Sequence, residues 1–208
     1  MAEGLRLERV AIVRDDATLL AVDAAVAPGE VLTLMGPSGS GKSTLLDFVM
    51  GDMAPGFRAE GRVRLDGRDL AGLPPEARRI GILYQDPLLF PHLDVGANLA
   101  FGLRGGTRAE RRAEVAAALA EVGLAGYANR DPATLSGGQA ARVALMRVLL
   151  AGPRALLLDE PFSKLDAERR AQMRDLVFSR VRRAGVPVLL VTHDAADAEA
   201  AGGEVVRL

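Results

Sequence analysis

The 208-residue chain contains no cysteine. That removes disulfides, zinc–thiolate centres and thiol nucleophiles, and it fits a reducing compartment. Long apolar runs are missing too. The longest, residues 155–158 and 186–192, fall far short of the roughly 20 residues a membrane-spanning helix needs. Met1-Ala2-Glu3 lacks the basic start and apolar core of a signal peptide, so a cytosolic chain is expected, with any membrane role borrowed from a partner. Neither sign of charge dominates: 26 Lys and Arg against 27 Asp and Glu leave a net charge of −1. No electrostatic footprint for nucleic acid or an anionic lipid surface is present, and no nucleic-acid partner is expected. Lysine is nearly absent, with only Lys42 and Lys164 among the 26 basic residues. The remainder is ordinary, 49% hydrophobic and 25% charged. That excludes intrinsic disorder and leaves ample interior for one large domain or two small lobes.

The first third reads as strands. Leu5, Leu7 and Ile12 lie in an irregularly alternating segment, and residues 19–26 form a second strand before the Pro28-Gly29 turn. Residues 31–35 are continuously apolar, as in a strand buried on both faces. A helix over 42–50 closes at Gly51, and Val63 and Leu65 before Asp66-Gly67 suggest an antiparallel arm. Residues 80–84 read as another buried strand.

The middle is helical. Thr107 and Glu110 make a capping box ahead of Val115, Leu119 and Val122 at helical spacing, with Gly123 as the stop. A further helix is expected over 138–151, ending at Gly152-Pro153. Strand–helix alternation then resumes, with strands over 155–158, 188–191 and 204–208 and a helix over 167–184. Alternation at both ends predicts a parallel α/β core. Residues 1–86 and 151–208 make up that core with its β arm, and 87–150 form an inserted helical lobe.

Gly36-Pro37-Ser38-Gly39-Ser40-Gly41-Lys42-Ser43 fits the phosphate-loop pattern G-x-x-x-x-G-K-[ST]. Glycines let backbone amides turn onto phosphate oxygens, the following helix offers its positive end, and Lys42 reaches the β- and γ-phosphates. The Ser43 hydroxyl can sit on Mg²⁺. The bland alternative, a Gly-Ser turn, is weakened by the strand before the run and the helix after it. Asp159-Glu160 ends an apolar strand, at the edge that faces ligand in an open α/β sheet. Asp159 can hold Mg²⁺ and Glu160 can polarise the attacking water, or the pair can be a solvated strand end. His193 follows a third apolar strand, where it is either structural or a contact for the γ-phosphate.

Leu135-Ser136-Gly137-Gly138-Gln139 adds the decisive run. Together with the phosphate loop, Gln85, Asp159-Glu160, Ser163-Lys164-Leu165-Asp166 and His193, it resembles the ATP-binding-cassette (ABC) transporter ATPases over essentially the whole chain. The likeness is greatest to short single-domain importer ATPases of the thiamine type and related uptake systems. It implies a RecA-like P-loop NTPase core with an antiparallel β arm and an inserted helical subdomain. ATP would be cradled by Gly36, Pro37, Ser38, Gly39, Ser40, Gly41, Lys42, Ser43 and Thr44. Mg²⁺ would be held by Ser43, Gln85 and Asp159, and Glu160, His193, Lys42 and Gln85 would carry hydrolysis. The 135–139 run of one subunit would cover ATP held by the other in a head-to-tail homodimer, with Asp166 communicating across it. Transmembrane permease subunits and an extracytoplasmic substrate-binding protein are the implied partners, at the cytoplasmic face of the inner membrane. Asp86-Pro87-Leu88-Leu89-Phe90-Pro91-His92-Leu93 resembles the segment that receives a permease helix, although Leu88, Leu89 and Phe90 read equally well as lobe core. Val13 and Arg14 stand where the family places an aromatic residue over adenine, and Arg14 can stack through its guanidinium plane. With the sequence stopping at Leu208, a C-terminal regulatory domain of the sugar-importer type is expected to be absent. Two other readings stay open: an exporter ATPase, or a non-transport member of the family acting in translation or DNA repair.

Overall fold

The computed structural model describes residues 3–208; Met1 and Ala2, the start read above for a signal peptide, lie outside the described residues. The chain folds as two compact units. The core unit comprises Met1–Ile82, Arg154–Glu160 and Arg174–Leu208; the helical unit comprises Leu83–Pro153 and Pro161–Met173. Residues 161–173, expected with the core, group instead with the helical lobe. The Lys164 ammonium donates to Asp86 Oδ1 at 2.6 Å, and the backbone of Lys164 lies directly against Gly138. No helix among the described residues is long and apolar enough to cross a membrane.

The core unit contains two sheets. The first is the expected arm, built from β1 (Leu5–Arg14), β2 (Ala17–Val26), β4 (Phe57–Leu65) and β5 (Arg68–Asp69) in the order β2-β1-β4-β5. β1 pairs with β2 and with β4, and β4 pairs with β5, all antiparallel. The uneven alternation of β1 has a physical cause. Leu5 and Leu7 are buried, then the buried set shifts phase to Val10 and Ile12, because a bulge at Arg9 (φ 47°) breaks the register. Gly61 faces this bulge at φ 87°, and a Cβ there would stand 2.3 Å from the Arg9 carbonyl oxygen, so only glycine fits.

The second sheet runs β6 (Ile80–Leu83), β7 (Ala155–Asp159), β8 (Val188–Val191), β3 (Val31–Met35), β9 (Glu204–Arg207). The β7–β8, β8–β3 and β3–β9 pairs are parallel. Every residue of β3, β7 and β8 is buried, the polar Thr33 and Asp159 among them, as in strands covered on both faces. The C-terminal ends of these three neighbouring strands lead into Gly36, Glu160 and Thr192, which places their loops on one edge.

In the helical unit, α3 (Val95–Gly102) packs on α4 (Arg108–Glu121) and α5 (Gly137–Leu150). The predicted capping box of α4 is formed. Thr107 Oγ1 accepts the Glu110 amide at 3.3 Å, and the Glu110 carboxylate accepts the Thr107 amide at 2.7 Å. Three short helices escaped the sequence reading: α2 (Pro75–Arg78), α3, and α7 (Ala195–Ala201). Each is at most eight residues and lacks a repeating apolar stripe.

Asn98 of α3 is fully buried. It accepts the Phe90 amide at 2.8 Å and donates to the carbonyls of Phe90, Leu93 and Asp94 at 3.0–3.1 Å. Arg147 adds donors to the carbonyls of Pro87 and Leu88. The 87–94 segment is thus held by side chains rather than by a helix or sheet ladder. Leu88 is 60% exposed and no part of the core, while Leu89 and Phe90 are half-buried. Asn98→Ala removes its hydrogen bonds to the backbone of Phe90, Leu93 and Asp94 and is expected to cost about 3 kcal/mol. Urea unfolding at an unchanged m-value checks this, and a loss near zero would mean that water replaces the amide.

Candidate functional site

The phosphate loop leaves β3 at Gly36 and enters α1 (Lys42–Met50) through Gly41, whose φ of 88° lies in the left-handed region. No side chain caps α1, so its first amides are free of a protein side-chain acceptor. Uncapped amides at a positive helix end are the chemistry an oxyanion requires. Lys42, only 9% exposed, folds back over the loop. Its ammonium donates to the carbonyls of Gly36 at 2.9 Å and Pro37 at 2.6 Å, and to Ser40 Oγ at 3.2 Å. The cup therefore holds a fixed positive charge.

Asp159, at the end of β7, accepts the Ser43 hydroxyl at 2.7 Å on Oδ2. Burial pushes its carboxyl above the ordinary range, offset in part by the Ser43 hydrogen bond and by the Lys42 charge. Among the described residues no three His, Asp or Glu side chains cluster tightly enough to hold a metal alone. One carboxylate beside one hydroxyl is, however, a donor set that fits Mg²⁺, which takes few protein oxygens and completes its shell with phosphate and water.

Glu160 sits at φ 49°, an unusual conformation for a non-glycine residue. Its amide donates to the Val191 carbonyl at 2.9 Å. Its carboxylate oxygen Oε1 lies 2.7 Å from His193 Nδ1, within hydrogen-bond distance. The Glu160 side chain is 14% exposed, whereas His193 is 73% exposed. One unit thus brings together residues 36–44, Asp159, Glu160 and His193. Arg14, singled out for base stacking, lies over the Phe57 ring at 5.3 Å to its centroid and pairs with Asp15 at 3.6 Å.

The helical unit holds the other singled-out residues: Gln85, the 135–139 run and Asp166. Ser136 is the N-cap of α5 and forms a full capping box. Its Oγ accepts the Gln139 amide at 3.3 Å, and Gln139 Oε1 accepts the Ser136 amide at 2.9 Å. The run therefore caps its own helix, while the hydroxyl proton of Ser136 is not used in the box. The two glycines differ in what demands them. A Cβ on Gly138 would press to 3.0 Å on the Lys164 carbonyl, whereas a Cβ on Gly137 would meet nothing within 4 Å. Among the described residues no contact requires glycine at 137. Asp166 Oδ1 accepts the Arg169 amide at 2.9 Å in the first turn of α6 (Ala167–Ala184). The ion pair between Lys164 and Asp86 went unread, because it joins residues 78 positions apart.

A family model described as ABC transporter matches residues 19–163. An ABC transporter ATP-binding protein of Escherichia coli K12, YnjD, is 50% identical over 86% of this chain and 83% of its own. The thiamine import ATP-binding protein ThiQ of Cereibacter sphaeroides is 47% identical over 93% of this chain and 83% of its own. Among solved structures, the dimeric post-hydrolysis state of the ATP-binding cassette MJ0796, bound to ADP and Pi, superposes with a TM-score of 0.84 at 32% identity. That match covers 98% of this chain and 94% of the other.

The buried carboxyl of Asp159 allows a check on its electrostatics. A carboxyl raised in the folded state contributes stability in full below its unfolded value and loses it as pH rises through the folded value. Asp159→Asn removes that charge and keeps an acceptor for Ser43. The variant, free of nucleotide and metal, is expected to melt higher than the parent at neutral pH, with the gain vanishing as the pH falls into the carboxylate range. Thermal unfolding across about pH 4 to 8 tests this; a gain independent of pH would refute the electrostatic origin.

Proposed function

The chain belongs to the ABC transporter family and is an ATPase subunit, and from this premise we propose that it powers the uptake of a small molecule across the cytoplasmic membrane. The uptake direction follows the import ATPases it is similar to. The observation that carries the chemistry is the meeting of three loops at the ends of β3, β7 and β8, with Lys42 in the phosphate cup, Asp159 on Ser43 and Glu160 on His193.

In this reading the triphosphate enters the cup of residues 36–44. Its oxygens compete for the Lys42 ammonium now spent on the loop carbonyls and bind the free amides of α1. Ser43 and Asp159 would hold Mg²⁺, which would neutralise phosphate charge when bound. Glu160 orients the attacking water and accepts its proton. His193 holds the Glu160 carboxylate in place and turns its exposed ring toward the γ-phosphate, while Lys42 balances the charge that develops there.

The homodimer belongs to the same proposal. One chain carries both a phosphate loop and an N-terminal helix turn with free glycine amides at Gly137 and Gly138. The open space at Gly137 supports a role for that turn toward a second copy, head to tail, with Asp166 near the shared surface. Permease subunits at the inner membrane and an extracytoplasmic binding protein complete the assembly. Leu88 and Phe101, exposed at 60% and 67%, offer apolar area in the helical unit for the permease.

Two substitutions separate binding from chemistry. Glu160→Gln is expected to keep ATP affinity, slow turnover by at least about 10²-fold and accumulate as an ATP-loaded dimer on size exclusion. Unchanged turnover would remove Glu160 from its role. Lys42→Ala is expected to weaken ATP binding by at least about tenfold, read by calorimetric titration, and parental affinity there would overturn the assignment of the cup.

A further inference from the structure

His193 is largely exposed, yet the residues on both sides of it are tied into a buried polar network. Thr192 is fully buried, and its hydroxyl donates to Asp197 Oδ2 at 3.0 Å while accepting the Asp194 amide at 3.1 Å. Asp194 in turn caps α7, its Oδ1 accepting the amides of Ala196 at 2.8 Å and Asp197 at 3.4 Å. A cation joins the network. Arg174, on α6, donates through Nε to Asp197 Oδ1 at 2.5 Å and through Nη2 to the same oxygen. Its Nη2 also lies 3.4 Å from Asp194 Oδ2. The side chains of Asp197 and Arg174 are 3% and 13% exposed. All of these residues lie in the core unit.

We infer that Arg174 is a positioning residue for hydrolysis: through Asp197 and Asp194 it fixes the backbone on either side of His193, and so holds the imidazole against Glu160. The physics is that of pre-organisation. A side chain on a strand-to-helix turn would sample many backbone angles, and each costs alignment with the carboxylate that orients water. Here the preceding residue is pinned by its hydroxyl and the following one by its amide and its carboxylate. The network is the kind in which a charge is retained underneath a working group, since Asp197 is buried beside the Arg174 guanidinium. The inference rests on the assignment of His193 made under Proposed function.

The test is a double-mutant cycle in the full-length chain. Arg174→Met alone leaves the Asp197 carboxylate buried without its cation and can unfold the protein, so it is paired with Asp197→Asn, which removes the charge and keeps an acceptor for Thr192. R174M/D197N is expected to melt near the parent, to bind ATP with affinity within about twofold, and to turn over about tenfold or more slowly. In a His193→Ala background the same pair is expected to change turnover little, because its effect passes through the imidazole. Parental turnover in the folded pair, or a loss of equal size with and without His193, would overturn the role of Arg174. If His193→Ala by itself leaves turnover unchanged, the fault lies in the reading of His193.

Discussion

A carboxylate buried against its own preference for water is the interaction on which the site depends. Asp159 ends a strand whose every residue is buried, so its charge is disfavoured where it stands. The Ser43 hydroxyl and the Lys42 ammonium offset that cost, and both belong to the first turn of α1. The link ties β7 to the loop that follows β3 across 116 positions of sequence. It also means that a charge disfavoured by burial is kept beside the Lys42 ammonium, where a metal–phosphate group is proposed to be received. A site assembled this way is poised before its ligand arrives, at some expense in stability of the empty protein.

The same economy recurs one strand over. Glu160 and His193 lie at the ends of β7 and β8, which pair in parallel register from Leu156–Val188 to Asp159–Val191. The Glu160 amide continues that ladder onto Val191. The unusual backbone angle at Glu160 then turns its side chain off the sheet toward the histidine ring. Beneath the ring, Thr192, Asp194, Asp197 and Arg174 supply rigidity that a bare loop lacks. Sheet geometry sets the distance and buried polar contacts set the orientation.

The helical unit solves a different problem. Its segment from Pro87 to Asp94 has no ladder partners, and Asn98 and Arg147 take over its carbonyls and amides. Its glycines mark two kinds of pressure. Gly138 is demanded from within, by the backbone of Lys164, whereas Gly137 meets open space. A residue type that no contact among the described residues requires fits a demand from outside the chain.

Much of this was legible in order along the chain. The phosphate loop, the apolar strands ending in Asp159-Glu160 and before His193, and the capping box at Thr107 are local patterns, whose residue types already carry their chemistry and their secondary structure. The short helices were not legible, since α7 reads Ala-Ala-Asp-Ala-Glu-Ala-Ala and has no apolar stripe to announce it; Asp194 with Asp197 three residues on was the one available signal. Nor was the partnership of Ser43 with Asp159, of Lys164 with Asp86, or of Arg174 with Asp197. Those contacts join residues 116, 78 and 23 positions apart. Residue types and spacing thus determined which groups could bind a nucleotide and on which strands they end. Only the tertiary fold decided which charges meet, because a hydrogen bond depends on distances of a few ångströms that strand order, bulges and close glycine contacts create and that no spacing along the chain encodes.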